Sequence, residues 1–225
     1  IDRAIEAKKD ALRKTGVLEY SPSEHQLDDI AGLERLKAWL KRRGAVFADP
    51  ERAQEFGLTP PRGILLVGVP GCGKSLSAKA VASELRLPLI RLDPSRLYTK
   101  YVGETEENLR RAIKTAEQMA PIVLWIDELE KGLGPADGGG DAGLSSRIFG
   151  TFLSWMQDKP DGVFLVATAN DVSKLPPEML RKGRFDEIFF VDLPDANDRE
   201  RILALHLDKR GRDPDSFDLT ALAAA

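Results

Sequence analysis

The sequence predicts an α/β fold: a parallel sheet of five strands flanked by helices, followed by the start of a smaller helical unit. Three observations predict it. Five short apolar runs, at 64–67, 88–92, 121–126, 163–168 and 188–191, have the length of strands. The 121–126 run is continuously apolar rather than alternating, the mark of a strand covered on both faces, and 163–168 reads as another buried strand. Runs with helical spacing fall between the strands, the rhythm that gives crossover connections and parallel pairing.

Taken in order, Ile1, Ala4, Ile5, Ala11 and Leu12 recur at helical spacing, and Gly16 and Ser21-Pro-Ser23 close that run. Residues 1–24 are expected to form a linker helix, with the main α/β domain over 25–194. Asp28-Asp-Ile-Ala-Gly32 leads into an amphipathic helix with Leu33, Leu36, Leu40 and Phe47 on one face, and Thr59-Pro-Pro61 ends that region. The strand Gly63-Ile-Leu-Leu-Val67 feeds a glycine-rich loop and the helix-compatible run Leu76-Ser-Ala-Lys-Ala-Val-Ala-Ser-Glu-Leu85. After the strand at 88–92, Thr105 is expected to cap a helix reaching about Ala120, with Leu109, Ala112, Ile113, Ala116 and Met119 buried. The six glycines between Gly132 and Gly143 predict a mobile loop. Residues 144–156 and 198–209 read as helices, and a last helix starts at Leu219, so 195–225 is expected to begin a separate helical unit.

Composition bounds the function. The chain has 225 residues, 42% of them hydrophobic, enough to bury a sizeable core. Thirty-three basic against 36 acidic residues give a net charge of −3, without the basic footprint of a nucleic-acid binder. No apolar run approaches the roughly 20 residues that span a bilayer. The single cysteine, Cys72, cannot form an internal disulfide, which agrees with a reducing, cytoplasmic-type compartment. The chain opens inside a helical pattern without an initiator Met, and is expected to be part of something longer.

The chemistry centres on Gly68-Val-Pro-Gly-Cys-Gly-Lys-Ser75, a complete match to G-x-x-x-x-G-K-[ST] in its required strand–loop–helix context. Glycines allow consecutive backbone N–H groups to converge on an anion, and the helix start adds free donors. Pro70, Gly71, Cys72, Gly73, Lys74, Ser75 and Leu76 are therefore the candidate nucleotide-binding segment. Lys74 supplies the charge for the outer phosphates and Ser75 a hydroxyl for Mg²⁺. Asp127 and Glu128 end a buried strand, where ligands gather in open α/β sheets. There an acid can hold Mg²⁺ opposite Ser75, and a second acid can orient water. Asn170 ends the next strand; alone, it reads as a turn residue. Arg181 and Arg184, around Gly183, form a fork suited to anionic oxygens or a solvated basic turn.

Together these residues resemble the AAA ATPases. The resemblance rests on Asp29-Ile-Ala-Gly-Leu33, Pro60-Pro-Arg-Gly63, the loop at 68–75, Lys100-Tyr-Val-Gly-Glu-Thr-Glu-Glu-Asn-Leu-Arg110, Ile126-Asp-Glu128, Asn170 and Leu180-Arg-Lys-Gly-Arg-Phe-Asp186. It covers roughly 28–210, in the family's order. More narrowly, it is similar to the branch encoded in algal plastids and found in cyanobacteria and other bacteria, which would place it in a plastid stroma or a cytoplasm. The resemblance implies ATP and Mg²⁺ as cofactors, with Asp127 and Ser75 on the metal and Glu128 as the water-activating base. It implies that Asn170 senses the γ-phosphate and that Arg181 and Arg184 are arginine fingers reaching a neighbouring subunit. Asp29, Ile30, Ala31 and Gly32 would cup adenine, with Ile202 and His206 facing the nucleotide from the first lid helix. A plain surface histidine is the other reading of His206, and His25 reads as one. Tyr101, Val102 and Gly103 resemble a pore loop that grips an unfolded chain; a core-packed Tyr101 is the other reading.

The chain departs from the family at Cys72, where Thr is common, and at Asp171, where a basic residue is frequent. The chain stops near the second helix of the expected lid, at Ala225, and the Gly-Ala element expected there is missing. The reading that results is an Mg²⁺-dependent ATP hydrolase in a homo-hexameric ring that remodels an unidentified protein. The rival is a nucleotide-dependent regulatory switch or scaffold; the two part at Tyr101.

Overall fold

A computed structural model describes residues 12, 15–22, 25–97, 102–133 and 142–224. The α/β reading holds, with one strand more than the five expected. The added strand, β1 (Leu18–Ser21), lies where the sequence pattern indicated only chain closure. Its four residues are too few to show a period. The remaining elements follow as α1 (Glu34–Arg43), α2 (Ala45–Ala48), α3 (Pro50–Glu55), β2 (Gly63–Val67) and α4 (Lys74–Glu84). Next come β3 (Leu89–Leu92), α5 (Val102–Gln118), β4 (Ile122–Ile126), α6 (Leu129–Leu133), α7 (Ala142–Asp158) and β5 (Val163–Ala169). The chain finishes with β6 (Glu187–Phe190), α8 (Ala196–Asp208) and α9 (Leu219–Ala224).

The sheet order is β1-β3-β4-β5-β2-β6. Only the β1–β3 pair is antiparallel, with Leu18 opposite Leu92 and Ser21 opposite Leu89. The other four pairs are parallel. Every residue of β2, β4 and β5 is buried, in keeping with sequences that are apolar throughout except for Thr168 of β5. Alternate residues feed two cores. Leu65, Val67, Leu124, Ile126, Leu165 and Ala167 face Leu109 and Ala112 of α5 and Ile148 and Phe152 of α7. Ile64, Leu66, Val123, Trp125, Phe164 and Val166 face Leu36, Trp39 and Leu40 of α1 and the alanines of α4.

Several boundaries differ from the sequence reading. The helix expected to be capped by Thr105 starts at Val102, so Thr105 lies inside its first turn, fully buried. Phe47 falls on α2, a separate turn after Gly44, rather than on α1. Gly132 is helical in α6, and a Cβ there would meet the Pro94 Cβ at 2.0 Å, so the close contact requires glycine. Gly143 belongs to α7, while the glycines at 134–140 lie outside the described residues. Most of the expected linker helix also lies outside them. Among the described residues no helix is long and apolar enough to cross a membrane.

At the edge of the sheet away from the strand C-termini, the Asp186 carboxylate accepts hydrogen bonds from the Arg62 and Gly63 amides at 2.6 and 2.8 Å. Nearby Lys159 is only 4% exposed and donates to the Val163 carbonyl. Burial, reinforced by Arg62, pushes its ammonium down from 10.5 to about 8, with Asp186 and Asp161 opposing. Below pH 8 both folded and unfolded chains carry the charge, and the burial penalty is fully present. Between pH 8 and 10.5 the unfolded chain binds more protons, so the penalty fades and stability rises with pH. That window corresponds to about 3 kcal/mol. Urea denaturation of Lys159→Met is expected to lack this rise; a rise equal to that of the parent protein would place its origin elsewhere.

Candidate functional site

Parallel pairing brings the C-terminal ends of β2, β5 and β4 to one edge, in that spatial order. Val67 lies opposite Ala169, and Ile126 opposite Ala167. The glycine loop, Asn170 and the Asp127-Glu128 pair therefore emerge side by side. Pro70, Gly71, Gly73, Lys74, Ser75, Leu76, Asp127, Glu128 and Asn170 line one cavity of about 430 Å³.

The loop's shape depends on its glycines. Gly71 and Gly73 have φ of 84° and 92°, in the left-handed region that a side chain resists. Gly68 is needed for space: a Cβ would stand 1.9 Å from the Val191 carbonyl oxygen. Lys74 opens α4, and its buried ammonium donates to the Gly68 and Val69 carbonyls at 2.6 and 2.7 Å. The charge is thereby held at the centre of the loop while Ser75, the next residue, remains exposed.

Across the cavity, Thr168 organises the acids. Its hydroxyl donates to Asp127 Oδ1 at 2.8 Å and accepts the Glu128 amide at 3.0 Å. Arg91 Nη2 donates to Asp127 Oδ2 at 2.9 Å, and the guanidinium lies 5.2 Å over the Trp125 ring. Glu128 sits at φ 50°, an uncommon conformation for a non-glycine residue that turns the chain sharply out of the strand. Its Oε1 accepts from Asn170 Nδ2 at 3.0 Å, and its Oε2 pairs with Lys131 Nζ at 2.6 Å. Lys131 first, then Asn170, lowers its pKa against the effect of burial. The Asn170 amide donates to Glu130 Oε1 at 2.9 Å, which ties α6 to the end of β5. Ser75 and Asp127 are hard oxygen donors facing the same space, a set suited to Mg²⁺ completed by phosphate oxygens and water.

A second cavity of about 520 Å³ adjoins the first and shares Gly71, Gly73 and Leu76 with it. Asp29, Ile30, Ala31, Ile202 and His206 line it, and Gly32 does not; Cys72, read as part of the phosphate loop, also lines this cavity and not the first. Gly32 instead has φ of 71° and lies against the Asp198 carboxylate, 2.8 Å from where its Cβ would be. His25, expected to be a plain surface residue, also lines this cavity, 4.0 Å from Asp29. Lys209 on the turn after α8 reaches Asp29 Oδ1 at 2.8 Å and, with the Gln26 amide, lowers the Asp29 pKa. Arg181 and Arg184 line neither cavity. Arg184 donates to the Glu178 carbonyl, which fixes the turn that carries both arginines. Tyr101 lies outside the described residues, while the Val102 and Gly103 backbones form the first turn of α5.

The sequence reading missed Arg91, Thr168, Lys131 and Lys209. Thr168 left a trace, as a polar residue inside an otherwise apolar strand. Arg91 did too, as a charge within a strand-sized run. Lys131 and Lys209 look like ordinary helix-surface lysines until the fold shows what they face.

Residues 64–193 match the model of the ATPase family associated with various cellular activities (AAA). Over all 225 residues the chain is 45% identical to the uncharacterized AAA domain-containing protein ycf46 of Guillardia theta, covering 44% of that protein. It is 46% identical over 220 residues to the protein of the same description from Pyropia yezoensis, again covering 44%. With that of Trieres chinensis the identity is 46% over 205 residues. The chain thus spans less than half the length of these relatives.

Gly68→Ala is expected to lower stability by about 1–3 kcal/mol, because the loop must move off the Val191 carbonyl. A thermal midpoint equal to that of the parent protein would show that this contact does not constrain the loop.

Proposed function

The chain belongs to the AAA family of ATPases, and from that premise we propose that it hydrolyses Mg²⁺-bound ATP across its two adjoining cavities. The observation that carries the proposal is the cavity facing Lys74, Ser75, Asp127, Glu128 and Asn170 together, with Glu128 hydrogen-bonded to Asn170 at 3.0 Å. Charge, metal donors and a positioned base then lie within reach of one phosphoryl group.

The adenine ring occupies the larger cavity, between the Asp29–Ala31 segment and Ile202 and His206 of α8. The triphosphate follows the loop, where Lys74 exchanges its carbonyl partners for phosphate oxygens. Ser75 and Asp127 would hold Mg²⁺, which would supply neutralisation of phosphate charge. Glu128 accepts a proton from the attacking water, and Asn170 holds the Glu128 carboxylate and contacts the γ-phosphate. Arg181 and Arg184 serve the site of a neighbouring copy, since they line neither cavity of their own chain. The assembly is then a ring, proposed to be a homo-hexamer that remodels a protein partner, with Tyr101 as the gripping residue.

Lys74→Ala is expected to abolish nucleotide binding, since a charge-assisted contact to phosphate is removed. Glu128→Gln is expected to retain binding and to lose about 10²–10⁴ in turnover. Calorimetry and phosphate release check the pair; a Glu128→Gln protein turning over normally would assign the base elsewhere.

The fingers are tested by mixing. Lys74→Ala subunits lack ATP but offer intact arginines, while Arg181→Ala/Arg184→Ala subunits bind ATP and need a donor. Combining the two inactive full-length proteins is expected to restore hydrolysis, where either alone loses about 10³ or more. Complete inactivity of a mixture shown by light scattering to co-assemble would exclude fingers acting between subunits.

A further inference from the structure

The Glu128 carboxylate is held at both oxygens, and only one of its partners belongs to the strand edge that carries the proposed chemistry. Asn170 Nδ2 takes Oε1 at 3.0 Å, and Lys131 Nζ takes Oε2 at 2.6 Å. Two side-chain groups approaching from different elements fix the plane of a carboxylate, whereas one leaves it free to rotate about the remaining bond.

Lys131 is well placed for this task because α6 is anchored on three sides. Leu129 is fully buried, and Gly132 packs against Pro94 with no room for a Cβ. Glu130 Oε1 accepts the Asn170 amide at 2.9 Å, so both groups holding Glu128 are referenced to the same backbone. The left-handed turn at Glu128, φ 50°, folds its side chain back toward α6. The pair contributes little to folding. The Lys131 and Glu128 side chains are 58% and 38% exposed, and exposed ion pairs are worth between nothing and about 1 kcal/mol.

We infer that Lys131 is a positioning residue for hydrolysis: with Asn170 it fixes the Glu128 carboxylate so that its remaining lone pairs face the cavity. The inference rests on the reading of Glu128 as the water-activating base. Misplacing a reacting group by about 1 Å can lower a rate by up to 10²-fold, so the loss should appear in turnover and not in binding.

The test uses full-length protein carrying Lys131→Met, Lys131→Arg, or Lys131→Met combined with Glu128→Gln. Phosphate release gives kcat and KM, and fluorescent ADP with Mg²⁺ gives affinity without turnover. For Lys131→Met the expected result is a fall in kcat of about tenfold, with KM and ADP affinity within about twofold of the parent. Lys131→Arg is expected to recover most of the rate, and Lys131→Met to add no further loss in the Glu128→Gln background. An unchanged or raised kcat, a loss shared with ADP affinity, or an equal loss without the Glu128 carboxylate would each overturn the assignment. A parent protein that binds ATP without hydrolysing it would instead overturn the underlying reading, and is seen before any variant is compared.

Discussion

Strand β5 is paired on both edges and covered on both faces, and this constraint sets where every chemical group of the site can lie. All seven of its residues are buried between β2 and β4. A backbone without access to water must satisfy each N–H and C=O in its ladders, which fixes the register of both neighbours. The register then determines that Asp127 emerges one step beyond the level of Ala167, beside Thr168, and that the glycine loop leaves β2 beside Asn170. Parallel pairing supplies the rest, because it gathers strand ends of one polarity on one edge.

Within that frame Thr168 is the buried group on which the acids depend. A hydroxyl inside an apolar strand is unfavourable unless it is hydrogen-bonded. Thr168 both donates to Asp127 and accepts from the Glu128 amide, so its burial is compensated and its partners are oriented. Arg91 contributes from the other side, as a cation against Asp127 and above the Trp125 ring. The acids are thus held by side chains of β3 and β5, by Asn170 just past β5 and by α6, while the opposing Lys74 is held by two backbone carbonyls and, at 3.6 Å, Cys72 Sγ. None of the groups that hold Lys74 belongs to the opposing wall.

The larger cavity is built differently. Its α8 wall meets the main domain through Lys209–Asp29 and Arg201–Glu34, at 2.8 and 3.9 Å, pairs that are partly or largely exposed. Such contacts orient more than they stabilise. No residue of α8 is buried, in contrast to the helices packed on the sheet. The larger cavity therefore lies between a wall packed on the sheet and one held by partly exposed ion pairs.

Much of this was legible in the sequence. The strand-sized runs, the glycine loop and the acids at the end of β4 carry local signals: continuous burial, positive-φ glycines and polar residues terminating apolar strands. These needed no knowledge of neighbours, and they determined the fold class, the phosphate loop and the acid pair. The edge strand β1 was not legible, because four residues show no period and their pairing with β3 depends on an edge that exists only in the folded sheet. Thr168, Lys131 and Lys209 were likewise decided by the tertiary structure. Each is chemically ordinary where it stands in the chain and gains its role from a partner 41, three and 180 residues away, respectively. The sequence by itself indicated the glycine loop and the acid pair as candidates for chemistry. The register of β5 between its neighbours decided which of them meet, because a buried ladder admits one alignment and side-chain reach is only a few ångströms.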